Sequence, residues 1–126
     1  MSRLLMAVTA LAIAALPGAA FAHAQLLSAS PAANATVAKP TKLTLDFSDT
    51  LQPSMSGVTL VMTGMPGMPD HPPMPIKGFK TSVEGDGKTL VVTLPRALPA
   101  GSYDLAWHIV GADQHRIEGK YFFTVK

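Results

Sequence analysis

Short runs in which apolar and polar residues alternate, cut off by Pro, Gly and Asp, recur through most of this chain, and they narrow its fold more than any other feature. Leu43, Leu45 and Phe47 alternate with Lys42, Thr44 and Asp46; Val58, Leu60 and Met62 alternate with Gly57, Thr59 and Val61. Val91 and Thr93 alternate with Leu90, Val92 and Leu94, and Leu105, Trp107 and Ile109 with Asp104, Ala106 and His108; Tyr121, Phe123 and Val125 follow. Successive side chains of a strand point to opposite faces, so a period of two marks half-buried strands. Turn signals separate the runs at Ser30-Pro31, Lys39-Pro40, Gly85-Asp86-Gly87 and Pro99-Ala100-Gly101. No helical stripe of useful length, internal repeat or domain boundary follows the first residues. About seven strands in roughly 100 residues predict an all-β fold, a seven-stranded antiparallel Greek-key barrel or Ig-like sandwich.

Residues 1–22 read as a cleaved secretory signal peptide. Arg3 supplies the positive n-region, Leu4 to Leu16 an apolar stretch, Pro17-Gly18 a break, and Ala20-Phe21-Ala22 a small-x-small cleavage site. The stretch is shorter than the roughly 20 residues that span a bilayer, which weighs against an uncleaved anchor. Cleavage after Ala22 predicts a soluble exported domain over residues 23–126, beginning His23-Ala24-Gln25.

Export permits disulfides, yet there are no cysteines, so the core alone holds the domain together and any soft-metal chemistry falls to Met and His. The formal net charge of +2 excludes the basic footprint of a nucleic-acid binder. Lys42, Lys77, Lys80 and Lys88 are most simply a solvated strand surface.

Met62 to Pro75 breaks the strand pattern. Five of its fourteen residues are Pro and four are Met, with His71 among them, so neither a helix nor a central strand fits. Thioethers are soft, uncharged donors that suit Cu(I). Met62, Met65 and Met68 are spaced three apart with Gly and Pro between, and a bending backbone can turn their sulfurs toward one point beside His71 and Met74. The competing readings are core filling, strongest for Met62 in phase with Leu60, and an adaptable Met-rich partner surface.

A second constellation contains His23, Asp49, Asp113 and His115. An N-terminal His chelates through its amine and imidazole, a donor set suited to Cu(II). Asp113 and His115 are two apart, which in an extended segment places both on one face, and Asp49 follows the run ending at Phe47. A D-x-H triplet alone is more often a surface loop. His108, opposite in phase to Trp107, reads as solvent-facing and non-ligating.

These residues together resemble the periplasmic copper-resistance proteins of the CopC/PcoC family. The likeness spans His23 to Lys126. It is carried by the N-terminal His, Leu45-Asp46-Phe47-Ser48-Asp49, Ser56-Gly57-Val58 leading to the Met loop, Leu98-Pro99-Ala100-Gly101-Ser102-Tyr103, and Trp107 followed by Asp113-x-His115. The resemblance implies a Greek-key β-barrel with Cu(II) at one end, held by the His23 amine and imidazole, His115 and Asp113. Asp49 stands where better-known members have Glu. It implies Cu(I) ligands drawn from Met62, Met65, Met68, His71 and Met74, in a loop with one extra residue before His71. It further implies a non-catalytic protein that buffers copper ions, confers resistance or delivers them, as a monomer, to a CopD-like inner-membrane transporter or a multicopper oxidase. Two other classes remain open from sequence. One is a histidine-brace copper mono-oxygenase, disfavoured by the small domain, the missing aromatic platform and the extra carboxylate. The other is a structural sandwich with an accidental Met loop.

Overall fold

The computed structural model describes residues 24–68 and 71–126; the signal-peptide reading of residues 1–22, and His23, lie outside the described residues. Nine strands form two sheets: β1 (Leu26–Ser30), β2 (Thr36–Val37), β3 (Lys42–Phe47), β4 (Gly57–Gly64), β5 (Met74–Ile76), β6 (Lys80–Glu84), β7 (Thr89–Thr93), β8 (Gly101–Val110) and β9 (Arg116–Val125). One sheet has the order β1-β3-β7-β6 and the other β2-β9-β8-β4-β5. The expected seven strands are those of five residues or more; β2 and β5 are additional short edge pieces of two and three residues. All named pairs are antiparallel except β2 with β9.

Alternation sets which side chains meet between the sheets. Leu43, Leu45 and Phe47 of β3, Leu60 and Met62 of β4, Leu90 and Val92 of β7, Tyr103, Leu105 and Ile109 of β8, and Phe123 and Val125 of β9 are buried in one cluster. Each large aliphatic side chain so buried contributes about 1.5–3 kcal/mol relative to exposure, which is how a domain without disulfides is held. Tyr103 stacks on Phe123 with centroids 5.4 Å apart. Its hydroxyl donates to the Pro99 carbonyl at 2.7 Å, and burial pushes its pKa up to about 12.

Trp107 faces inward as its phase requires, edge-on to Phe47 at 5.1 Å. Its indole lies across its cross-strand partner Gly119, where no Cβ would fit. His108 takes the other face, half-buried beside Gly57.

The Met-rich segment is less irregular than its composition suggests. Met62 is part of β4, and Met74-Pro75-Ile76 pairs with it as β5, Met62 opposite Met74. Pro75 is tolerated because β5 is the outermost strand of its sheet, where a missing N–H leaves no ladder bond unmade.

The long strand β8 defines the molecule's two ends. Gly101 lies beside Val125 and Ser102 beside Gly64, at the end that bears the Met loop. Val110 lies beside Arg116, and the adjoining Gly111 bridges Leu51 at the opposite end. Ten extended residues put the two ends roughly 30 Å apart.

Candidate metal centres

At the Gly111 end, three segments converge on one glycine. A Cβ on Gly111 would lie 3.3 Å from Asp113 Oδ1, 3.4 Å from Asp49 Oδ2 and 3.8 Å from the Ala24 Cβ. Asp49 is carried there by the chain leaving β3. Its Oδ1 accepts the Thr50 N–H at 2.8 Å, and the Leu51–Gly111 bridge ties that segment to the end of β8. Ala24 is only 2% exposed. It is held by its neighbour Gln25, whose N–H donates to Ser48 Oγ at 2.8 Å and whose carbonyl accepts the Ser48 N–H at 2.9 Å. His23 lies outside the described residues, but its covalent neighbour is thus fixed within the cluster.

Asp113 and His115 do meet, though not through an extended segment. Residues 111–115 form the turn between β8 and β9, with Gln114 in the left-handed region at φ 69°. The Gln114 N–H donates to the Gly111 carbonyl at 3.1 Å. This turn, rather than strand alternation, brings the Asp113 carboxylate to the His115 backbone N–H at 3.1 Å and to His115 Nδ1 at 3.2 Å. With bonds of about 2 Å to N and O, two donors at right angles around one ion sit about 3 Å apart, so this spacing suits a shared metal. Among the described residues no three His, Cys, Asp or Glu side chains form a metal-holding group.

At the opposite end, Met65-Pro66-Gly67-Met68 is a tight turn. Pro66 sets the first corner and Gly67, at φ +83°, supplies the left-handed second corner that a type II turn needs. Met65 and Met68 exchange both backbone hydrogen bonds, at 3.0 and 2.8 Å. Directly opposed residues of such a pair project to the same face, so the three-residue spacing sends both methionine side chains out from one face of the turn. Met65 is half-buried against the core, while Met68 and Met74 are about half exposed. Met62 is a buried core residue, 3% exposed. Its methyl lies 3.0 Å from where a Gly101 Cβ would stand, and the Gly64 carbonyl blocks the same position. Glycine at 101 therefore lets the root of the Met loop pack against β8, a requirement not visible in the sequence.

His71 is buried in this loop, 8% exposed. Its Nδ1 lies 2.7 Å from the Pro72 carbonyl. A carbonyl only accepts, so Nδ1 donates this bond, and in the neutral ring Nε2 is then the nitrogen with the lone pair. That Nε2 is buried and has no hydrogen-bond partner among the described residues. A carbonyl holding one imidazole nitrogen so that the other presents a lone pair is the usual support of a metal-ligating His. The donors present thus fit a soft cation: thioethers needing no deprotonation and one neutral imidazole. Pro69 and Asp70 lie outside the described residues.

The CopC domain family matches residues 26–126. The chain is 45% identical over 107 residues to copper resistance protein C of Xanthomonas campestris pv. juglandis, covering 85% of this chain and 83% of the relative. It is also 45% identical over 105 residues to copper resistance protein C of Pseudomonas syringae pv. tomato, covering 83% and 82%. Among solved structures it is similar to PcoC, a methionine-rich copper resistance protein from Escherichia coli. The TM-score is 0.75 at 43% identity, over 83% of this chain and all of that one.

Proposed function

The chain belongs to the CopC family, and from that premise we propose that it is a periplasmic copper resistance protein that carries copper as cargo, without catalysing a reaction. In this reading residues 1–22 are removed, and residues 23–126 form one copper-binding domain. Cu(II) is held at the Gly111 end by the His23 amine and imidazole, Asp113 and His115, with Asp49 beside them. Cu(I) is held at the other end by His71 with Met65, Met68 and Met74. Met62 joins them only if its buried side chain turns out of the core. The recipient is a CopD-like inner-membrane transporter or a multicopper oxidase. No helix among the described residues is long and apolar enough to cross a membrane.

The observation that carries this reading is the buried Nε2 of His71, which has no hydrogen-bond partner among the described residues and lies in the loop that also bears Met65 and Met68. A buried nitrogen without a partner costs about 1–3 kcal/mol, and a metal ion bound there removes that cost. Support for the Cu(II) site comes from the 3.2 Å Asp113–His115 pair and from Ala24, packed against the same glycine.

The test is separate titration with Cu(II) and Cu(I) of protein beginning at His23 and of protein with one extra residue before it. One equivalent of each ion is expected for the native terminus. The extended terminus should bind Cu(II) far more weakly and Cu(I) equally well. Binding of the native terminus to Cu(II) should weaken as pH falls through about 7.7–8.0, where an amine takes up a proton. Equal Cu(II) affinity for both termini overturns the N-terminal site.

A further inference from the structure

The charges of this domain are sorted between its two ends. Lys42 and Lys80 both lie opposite Thr93 at the Met-loop end of one sheet. Lys39 precedes Pro40, whose carbonyl accepts the Leu98 N–H, and Lys126 follows Val125, the partner of Gly101. Lys77 and Arg96 line a groove at the same end. All six are exposed, and none forms an ion pair among the described residues; the two described pairs, His115–Asp113 and Arg116–Glu118, are at the other end. Asp104, the fourth residue of β8, is the first acidic side chain along that strand from this end, and Asp70 of the Met loop lies outside the described residues. At the Gly111 end the balance reverses: Asp46 and Glu84 lie opposite Thr89, and with Asp49, Asp86, Asp113 and Glu118 they outnumber Lys88 and Arg116. The small formal net charge of +2 therefore conceals a dipole along the axis that joins the two candidate metal centres.

Solvated cations need no partner, but two of these, Lys77 and Arg96, line an apolar concavity. The groove between β5 and the segment joining β7 to β8 has a volume of about 310 Å³ and is walled by Ile76, Leu94, Leu98 and three prolines. Exposed Met74 begins the strand that forms one wall, and exposed Met68 lies in the loop before it. Fixed cations around a low-dielectric depression attract anionic partners over a distance and orient them on arrival. A flat bilayer does not fill a concavity of this size, whereas one apolar side chain of a partner protein does.

We propose that this end is a docking face for a partner protein, which inserts an apolar side chain of an extended, carboxylate-bearing segment between Lys77 and Arg96. Docking of this kind holds the Met loop against the partner and turns the acidic Gly111 end away from it. The inference rests on the Cu(I) reading of the Met loop for its purpose, transfer of the ion, but not for the docking itself.

The probe is a short synthetic peptide of alternating Glu and Leu, titrated into the isotope-labelled protein, with its Gln-for-Glu counterpart as control. Amide shifts are expected at residues 39–42, 75–80 and 94–99, with affinity falling as salt is raised. The pair Lys77→Glu and Arg96→Glu should weaken binding about tenfold or more, from the loss and reversal of two exposed charge contacts. Lys120→Glu, on β9 away from the groove, should leave binding intact. Cu(I) affinity, measured by competition with a chromophoric chelator, should be unchanged in the Lys77 and Arg96 variant. If no variant binds Cu(I) while the peptide result holds, the metal reading fails and the docking reading stands. Equal affinity for the Gln peptide, or for the charge-reversed protein, overturns the proposal. So does binding to phosphatidylglycerol vesicles without binding to the peptide, which assigns the face to lipid. Head-to-tail self-association of the protein alone in sedimentation would assign it to a second copy and likewise overturn it.

Discussion

Replacing His71 by Leu tests whether the structure retains a residue for metal at the expense of the metal-free fold. His71 is 8% exposed, so the substitution fills a nearly closed space with a side chain of comparable size. Two polar effects follow, and they oppose each other. The buried Nε2, which has no partner among the described residues, disappears, which relieves a cost of about 1–3 kcal/mol. The Nδ1–H bond to the Pro72 carbonyl also disappears, a loss of about 0.5–1.5 kcal/mol for a typical hydrogen bond. Pro72 is exposed, so water takes over its carbonyl and the second loss stays at the low end of that range. The copper-free variant should therefore be as stable as the parent, or more stable by up to about 2 kcal/mol. In a domain of this size each kcal/mol moves the melting temperature by roughly 4–8 °C.

With Cu(I) present the order should invert. The parent is stabilised by mass action in proportion to the logarithm of ligand concentration over Kd, and the variant, lacking its only imidazole donor at that end, gains much less. Calorimetry of both proteins in mildly alkaline buffer, copper-free and with Cu(I) under reductant, measures both effects. If His71→Leu destabilises the copper-free protein by more than about 1 kcal/mol and leaves Cu(I) affinity unchanged, His71 is a packing residue with a hidden partner, and the reasoning from its orphaned nitrogen is refuted.

Other expectations bear on the same two ends. Replacing Met65 and Met68 together by Leu conserves volume and should cost less than about 1.5 kcal/mol without metal. It should abolish most Cu(I) affinity while leaving Cu(II) binding intact, as chelator competition with each ion would reveal; retained Cu(I) affinity would make the loop filler or a partner surface. Trp107, the only Trp, lies four residues before Gly111, roughly 13 Å along an extended strand, so saturating Cu(II) should quench its emission; unchanged emission would place Cu(II) elsewhere. His108 has its pKa lowered first by burial and then by the Arg116 charge, against an opposing effect of Glu118. The folded state therefore binds fewer protons than the unfolded state just below the ordinary imidazole value of about 6.5, and stability falls with pH from there down to the folded pKa. His108→Gln should flatten the urea-midpoint profile in that window, and an identical profile would show that His108 does not contribute to it.

The two constellations were legible to different depths because different forces assemble them. Strand periodicity placed Leu43, Leu45, Phe47, Leu105 and Ile109 in the core, since burial follows directly from alternation. It passed over β1 and β6, whose residues are mostly exposed edge positions with little apolar contrast. Met65 and Met68 were legible as a pair because Pro-Gly between them dictates a turn. Asp113 and His115 were legible as neighbours for the wrong reason, since the left-handed Gln114, not an extended segment, turns them together. What no local pattern conveys is the set of long-range supports. Ser48 holds Gln25 from 23 residues away, and Gly111 and Gly101 admit groups from segments remote in sequence.

The rigid separation of the two ends also constrains how copper can pass through such a protein. Each candidate centre is tied to one terminus of β8, whose ten residues all pair with β9 and of which Ser102 to His108 also run alongside β4. No hinge interrupts that strand, so the roughly 30 Å between centres cannot close within one molecule. The space between is filled by Leu60, Leu105, Ile109 and Phe123, all fully buried, and an ion crossing such a core would meet a desolvation penalty with no donors to offset it. Copper bound at one end must therefore leave by that end. Under the proposed docking, the opposed charges of the two ends would select which partner each meets, drawing anionic groups to the Met-loop end and repelling them from the Gly111 end. If Cu(II) and Cu(I) occupy the two ends as proposed, this build keeps the two oxidation states apart by geometry and would address them to different partners by charge.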